Sequence, residues 1–393
     1  MPIQKIDIEE FLLLAQQHVV LDVRSPSEYT HAHIPNAKNI ALFNDEERKI
    51  VGTAYKQESR ETAIKFGLDF FGPKMKKIVE EVEGLVKSYG LWVTGSNTSR
   101  LNKNSNLFND PNSKLETNKL ETQKPETVLI HCWRGGMRSA AVAWLLDLYG
   151  FKVYLLNGGY KAYRNWVLQQ FEIEYNFKIV GGYTGSGKTY LLEALQKNGE
   201  TIIDLEGLAS HKGSALGALG MGKQPTQEMF ENNLAIELYE KSKTTNKNEP
   251  TANFPLPTTN SIWLEDESQR IGLVQVPIIL WNKMRSSKVY FLDIPFEERL
   301  QFLTKEYGLH KKEDLVNAGI RIQKRLGGLE TKNYINFLLE NNFTEAFRIL
   351  LVYYDKHYTK GLYNRENAKE LIKFIPALKV DAAENLHLLK EIL

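Results

Sequence analysis

His131-Cys132-Trp133-Arg134-Gly135-Gly136-Met137-Arg138-Ser139 is the stretch that decides how this chain folds. It follows Thr127-Val-Leu-Ile130, an apolar run short enough for a buried strand. It precedes Ala140-Ala-Val-Ala-Trp-Leu-Leu-Asp-Leu148, which reads as a helix. Cys132 therefore belongs to a strand-to-helix loop, with Gly135 and Gly136 letting the backbone curl around it. Such a loop turns N–H groups inward and makes an anion cradle at a helix N-terminus. Arg134 and Arg138 add fixed positive charge. Both effects favour thiolate over thiol, so Cys132 is expected to be reactive. It is the only cysteine in the chain, and a buried structural cysteine is the plainer alternative.

Upstream, Ile3 to Ile8 reads as an edge strand, followed by a helix from Ile8. Val19-Val-Leu-Asp-Val-Arg24 reads as a buried strand ending in charge, and Ser25-Pro26 as the cap and first residue of a short helix. Alternating strands and helices imply an α/β domain with a parallel sheet. Asp22 and Arg24 read as a structural ion pair or as functional groups. Residues 65–90 carry apolar side chains at helical spacing. Residues 95–126 are rich in Asn, Ser, Thr and Lys with few core formers, and read as a flexible insertion.

The chain has 393 residues, enough for two or three domains, with 42% hydrophobic and 25% charged residues. Net charge is +2, so no global basic excess announces nucleic acid, and any RNA would have to meet local patches. A single cysteine excludes an intramolecular disulfide and fits a reducing, cytoplasmic location. No signal-peptide pattern and no bilayer-length apolar run is visible, so no membrane is expected.

Downstream, Phe177-Lys-Ile-Val180 reads as a strand and Tyr190 onward as a helix. Between them residues 182–189 match G-x-x-x-x-G-K-T in full. Gly182, Gly185 and Gly187 let backbone N–H groups wrap a pyrophosphate, Lys188 neutralises phosphate charge, and Thr189 can reach a metal. The loop identifies a bound phosphate without naming the molecule that bears it. Thr201 to Glu206 reads as a strand ending in Asp204 and Glu206, either of which could hold Mg²⁺ through water. His211 follows in a Gly/Ser-rich loop, as a catalytic group or a contact to substrate or backbone. Ser261 to Ser268 reads as a strand carrying Glu265, Asp266 and Glu267, candidates for metal or substrate handling or simply a solvated strand end. Residues 242–260 read as a second polar insertion. In the helical C-terminal part, Arg321, Lys324 and Arg325 fall at i, i+3 and i+4 and are expected to form one basic helix face, an RNA-binding candidate. The aromatic residues after it read mainly as helical core.

These blocks carry a resemblance. Asp22-Val-Arg24, Glu28-Tyr29, His33-Ile-Pro-Asn-Ala37 and the Cys132 loop resemble a rhodanese domain, in which the loop cysteine carries sulfur or selenium. Together with Val51 to Gln57, Gly182 to Thr189, Asp204 to Ser214 and Glu265 to Gly272, they resemble the tRNA 2-selenouridine synthase family. The resemblance implies a rhodanese-like parallel-sheet domain over 1–168, a P-loop NTPase-like α/β domain over 175–300, and a helical region over 301–393. It implies S-geranylation of 2-thiouridine with geranyl diphosphate, then selenium transfer from selenophosphate. Cys132 would be the selenium-carrying nucleophile, with Arg134 and Arg138 beside it. Gly135 and Gly136 would bind the donor's phosphate, and the second loop the diphosphate. The implied partners are tRNAs with a 2-thiouridine wobble base (Lys, Glu and Gln acceptors) and an enzyme supplying selenophosphate, with Mg²⁺ a candidate cofactor. His131-Cys132-x5-Arg138-Ser139 also fits a rhodanese-fold cysteine phosphatase, and Lys188 an ATP-dependent kinase or tRNA sulfurtransferase.

Overall fold

A computed structural model describes residues 3–98, 126–242 and 261–393. Most of each expected insertion, 95–126 and 242–260, lies outside the described residues. The chain divides into two compact units, Met1–Trp166 and Val167–Leu393.

In the first unit the elements run β1 (Gln4–Ile6), α1 (Ile8–Ala15), β2 (Val19–Asp22), α2 (Pro26–His31), β3 (Lys38–Asn39), α3 (Asp45–Gln57), α4 (Arg60–Phe71), α5 (Met75–Thr98), β4 (Thr127–His131), α6 (Met137–Tyr149), β5 (Lys152–Leu156) and α7 (Gly159–Gln170). The five strands pair in parallel in the order β1-β5-β4-β2-β3. Alternation along β4 sorts its side chains by face. Val128, Ile130 and Cys132 join the core formed with Val82 of α5 and Val142 and Leu146 of α6. His131 points the other way, with its ring against Phe11 of α1 and Tyr160 of α7. The helical run expected over 65–90 is interrupted: a single 3-10 turn at Gly72–Lys74, containing Pro73, separates α4 from α5.

In the second unit the order is β6 (Phe177–Gly182), α8 (Lys188–Lys197), β7 (Thr201–Ile202), α9 (Leu205–Ala209), α10 (Gln227–Ser242), β8 (Ile262–Glu265), β9 (Arg270–Ile271), β10 (Val274–Gln275), α11 (Ile278–Arg285), β11 (Lys288–Asp293), α12 (Phe296–Tyr307), α13 (Lys312–Arg321), α14 (Gln323–Leu326), α15 (Gly328–Leu339), α16 (Phe343–Tyr363), α17 (Ala368–Leu371), β12 (Ile372–Pro376) and α18 (Ala382–Ile392). A parallel sheet has the order β12-β11-β6-β8-β7, and β9 and β10 form a small antiparallel hairpin. Leu191 and Leu195 of α8 and Leu386 and Leu389 of α18 cover one face, against Val180, Trp263 and Leu292. A separate helical core holds Leu303, Leu315, Tyr334, Phe347 and Leu350. Most of the C-terminal aromatics are core, as the spacing suggested.

Residues 301–393 are not purely helical. Ile372–Pro376 is a strand that pairs with β11, because Ile372 and Ile375 bury against the sheet. The strand expected over Thr201 to Glu206 stops at Ile202, since Asp204 instead caps α9 by accepting the Gly207 N–H at 2.7 Å.

Candidate functional site

In open parallel sheets ligands bind beyond the carboxyl ends of the strands. Each unit places a glycine-bearing loop there.

In the first unit β4 runs into the Cys132 loop, and α6 begins at Met137 with its N-terminus beside the sulfur. The Gly136 N–H donates to Sγ at 3.3 Å, and the Ser139 hydroxyl lies 3.2 Å from it. Burial works against the thiolate. The Ser139 hydroxyl, backbone N–H groups of the loop and Arg138 outweigh it and hold the thiol below its ordinary value. The loop is braced from behind by the start of α7: the Tyr160 and Lys161 N–H groups donate to the Cys132 and Trp133 carbonyls at 2.8 and 3.0 Å. Gly159, at φ +59°, permits this approach; a Cβ there would sit 2.4 Å from the Cys132 carbonyl oxygen. Arg138 donates to Glu28 Oε2 at 2.8 Å, and Arg48 to the same oxygen at 2.9 Å. Arg134 is exposed. Asp22 and Arg24 do not reach the sulfur. They form a fully buried multidentate pair, with Arg24 Nη2 2.6 Å from Asp22 Oδ2 and its guanidinium 3.8 Å over the Tyr160 ring. That geometry fits the structural ion pair of the two readings.

In the second unit β6 runs into residues 182–189. Gly182, Gly185 and Gly187 all have positive φ, at +150°, +79° and +76°. A Cβ at each would meet Ser186, Leu303 or Val380 below 3 Å. Lys188 Nζ donates to the Gly182 carbonyl at 3.1 Å. The Gly182 N–H donates to Tyr358 Oη at 3.2 Å, and that hydroxyl donates to Asp266 Oδ2 at 2.6 Å. Arg299, almost fully buried, donates to the Thr184 carbonyl and pairs with Asp355.

Beside this loop Glu206, Glu265 and Glu267 each place a carboxylate oxygen within 4.8 Å of the others. Thr189 Oγ1 donates to Glu265 at 2.7 Å and lies 3.4 Å from Glu206. Burial, then the neighbouring Glu267, pushes Glu206 up to about 9. Burial raises Glu267 to about 7 against the pull of Lys188, and burial with Glu206 holds Glu265 well above the usual carboxylate range. Glu265 Oε2 is buried and has no hydrogen-bond partner among the described residues. Among the expected acids Asp204 is a helix cap, and Asp266 is tied to Tyr358 and Arg365. Of the three acids expected after Ser261, Glu265 and Glu267 reach the cluster and Asp266 does not.

These two loops match known families. The model for the tRNA 2-selenouridine synthase AAA domain matches residues 175–374, and that for the rhodanese-like domain matches 8–78 and 92–165. A tRNA 2-selenouridine synthase from a Sulfurovum species is 31% identical over 91% of this chain and 94% of its own length. The chain belongs to the tRNA 2-selenouridine synthase family. A synthase of the same name from Bdellovibrio bacteriovorus is 31% identical over 93% of this chain and 94% of its own. One from Hydrogenovibrio crunogenus is 34% identical, over 83% and 80%.

The remaining expected residues of this family member lie elsewhere in the second unit. His211 packs against Gly217, and burial with Arg321 holds its imidazole below the ordinary value. Lys212 pairs with Glu306. The basic helix face is broken. α13 ends at Arg321 and a new short helix starts at Gln323, so Arg321, Lys324 and Arg325 do not share one continuous helix. All three are exposed, and Arg321 donates to the Ala215 carbonyl.

Proposed function

We propose that this protein converts 2-thiouridine at the tRNA wobble position to 2-selenouridine in two steps. The observation that carries the proposal is the pairing, in one chain, of a phosphate loop with a cysteine loop whose thiol is held below its ordinary value. In the first step the thiocarbonyl sulfur attacks the allylic carbon of geranyl diphosphate and the carbon–oxygen bond breaks. Residues 182–189 would hold the departing diphosphate, with Lys188 and loop N–H groups stabilising its charge. The buried, partnerless Glu265 oxygen and the adjacent Thr189 hydroxyl fit a divalent cation such as Mg²⁺. Thr189, Glu206, Glu265 and Glu267 would hold it, and it would supply positive charge beside the diphosphate.

In the second step selenium replaces the alkylated sulfur, which leaves as a prenyl thiol where a bare sulfide would not. Selenium in selenophosphate is already at the hydroselenide level. Loading it on Cys132 as a perselenide would require a two-electron oxidant. Attack of the Cys132 thiolate on phosphorus requires none: the Se–P bond breaks, hydroselenide is freed to attack C2 of the base, and water then cleaves the S–P bond to release phosphate. Gly135, Gly136, Arg134 and Arg138 would bind the phosphoryl oxygens. tRNAs for Lys, Glu and Gln, a selenophosphate-supplying enzyme and a cytoplasmic setting complete the reading.

Mass spectrometry of wobble nucleosides tests it. Cells carrying Cys132→Ser should accumulate S-geranyl-2-thiouridine and lack 2-selenouridine, and purified Cys132→Ser given hydroselenide directly should regain selenation. Normal 2-selenouridine in the mutant cells would sink the role of Cys132; failure of hydroselenide to rescue would overturn release of hydroselenide as the task of Cys132.

A further inference from the structure

Cys132, Arg134, Gly136 and Arg138 line one end of a cleft of about 960 Å³, and the chemistry above leaves the rest of that cleft without a task. One wall is formed by α3, which carries the Val51 to Gln57 stretch of the family resemblance, and by α4. Ile64 and Leu68 stand one turn apart on α4, 39% and 57% exposed, and face the cleft with Trp133 and Met137 of the cysteine loop, 38% and 48% exposed. Four large apolar side chains turned to water around one opening are unusual on a soluble surface and mark a binding site. The cleft is also lined by Arg48, Lys49, Lys56 and Arg60, and no carboxylate is among its described lining residues.

We propose that this cleft binds the alkyl chain of the S-prenylated wobble nucleoside, with the flanking RNA phosphates on its cationic side chains. This rests on the two-step reading. In that reading the alkylated sulfur and the attacking selenium share one carbon, C2. When C2 is close enough to Cys132 to receive the hydroselenide freed there, the prenyl chain begins two bonds away, across the sulfur. It then requires an apolar wall next to the cysteine, which the cleft provides. The cations match a polyanion, so a neutral hydrocarbon from another source is not the occupant argued here. The first unit is thereby assigned recognition of the alkyl group as well as selenium chemistry, and Ile64 and Leu68 set its preference for a long chain.

The test uses the full-length protein and anticodon stem-loops bearing S-geranyl or S-methyl 2-thiouridine, with binding read by fluorescence anisotropy. Burying a CH₂ is worth roughly 0.8 kcal/mol, so three buried carbons give roughly a fiftyfold preference for the geranylated loop. The double variant Ile64→Gln/Leu68→Gln adds no charge at two partly exposed positions and should lower geranyl-loop affinity to near that of the methyl loop, leaving the methyl loop unchanged. Gly52→Phe, at a cleft position where a Cβ meets nothing within 4 Å, should do the same by filling space. Equal wild-type affinity for the two loops, or equal losses on both in the variants, overturns the proposal and leaves a site for RNA alone. Conversion of the geranylated loop by wild type with selenophosphate is measured in parallel. Its absence would sink the two-step reading, while the binding preference would still decide the cleft.

Discussion

The Ser139 hydroxyl lies 3.2 Å from Cys132 Sγ and 3.1 Å from the Gly136 carbonyl. It has one proton and can satisfy only one of them at a time. Ionisation of Cys132 draws that proton to sulfur. Ser139→Ala should therefore move the thiol's titration upward and slow alkylation by iodoacetamide near neutral pH by roughly tenfold, the scale of a hydrogen bond to a charged group. Alkylation rate against pH measures this; an unchanged profile would mean that the loop N–H groups and Arg138 suffice.

The Asp22–Arg24 pair is buried to 0% and 1% exposure. Asp22→Asn leaves the guanidinium without its countercharge, and breaking such pairs costs about 3–5 kcal/mol. Denaturant unfolding of the full chain, followed by a probe in the first unit, should show a loss of that order. A loss below about 1 kcal/mol would mean that the Ala32 carbonyl and the Tyr160 ring hold Arg24 unaided.

Lys188→Ala removes charge from the phosphate loop. S-geranylation of 2-thiouridine tRNA should fall about a hundredfold or more, whereas tRNA already S-geranylated should still be converted, since Cys132 lies in the other unit. Failure to convert the pre-alkylated tRNA, or wild-type alkylation that stops when ATP is withheld, would argue against this division of labour.

Glu206 and Glu267 bind protons more tightly folded than unfolded, up to about 9 and about 7. The native state then carries more protons than the unfolded chain above about pH 4.3, so stability falls as pH rises from there towards 9. Thermal melts should drop between pH 6 and pH 9, and Mg²⁺ should restore more at pH 9, where the carboxylates are free to bind it. Melts that are flat with pH, or a Mg²⁺ effect larger at pH 6, would contradict this.

Both loops were legible because their chemistry is local: glycine spacing and a flanking strand and helix lie within about fifteen residues of each other. The carboxylate cluster was only half legible. β8 ends at Glu265, and a tight turn in which the Glu267 N–H donates to the Glu265 carbonyl at 2.9 Å brings Glu267 to the cluster and leaves Asp266 on Tyr358 and Arg365, a placement the strand's period does not carry. That Thr189 meets Glu265, 76 residues away, or that Tyr358 reaches Gly182 from 176 residues away, is written in no local pattern. The basic face was misread because helical spacing was extended through Ile322, where a turn bonded to Gly319 ends α13. β12 was missed because five residues after a helix, only two of them buried, carry little strand signal.

That last strand sets a timetable for synthesis. β6, which leads into the phosphate loop, emerges near residue 182, but β12 is made only after residue 371. At ribosomal speed the interval is on the order of ten to forty seconds. The first unit has all its strands by Leu156 and can fold meanwhile, whereas β11 waits as an open sheet edge, the kind of surface that recruits other chains. A message truncated before codon 372 would leave that edge permanently uncovered, so its product should aggregate through the second unit while the cysteine-bearing unit remains folded.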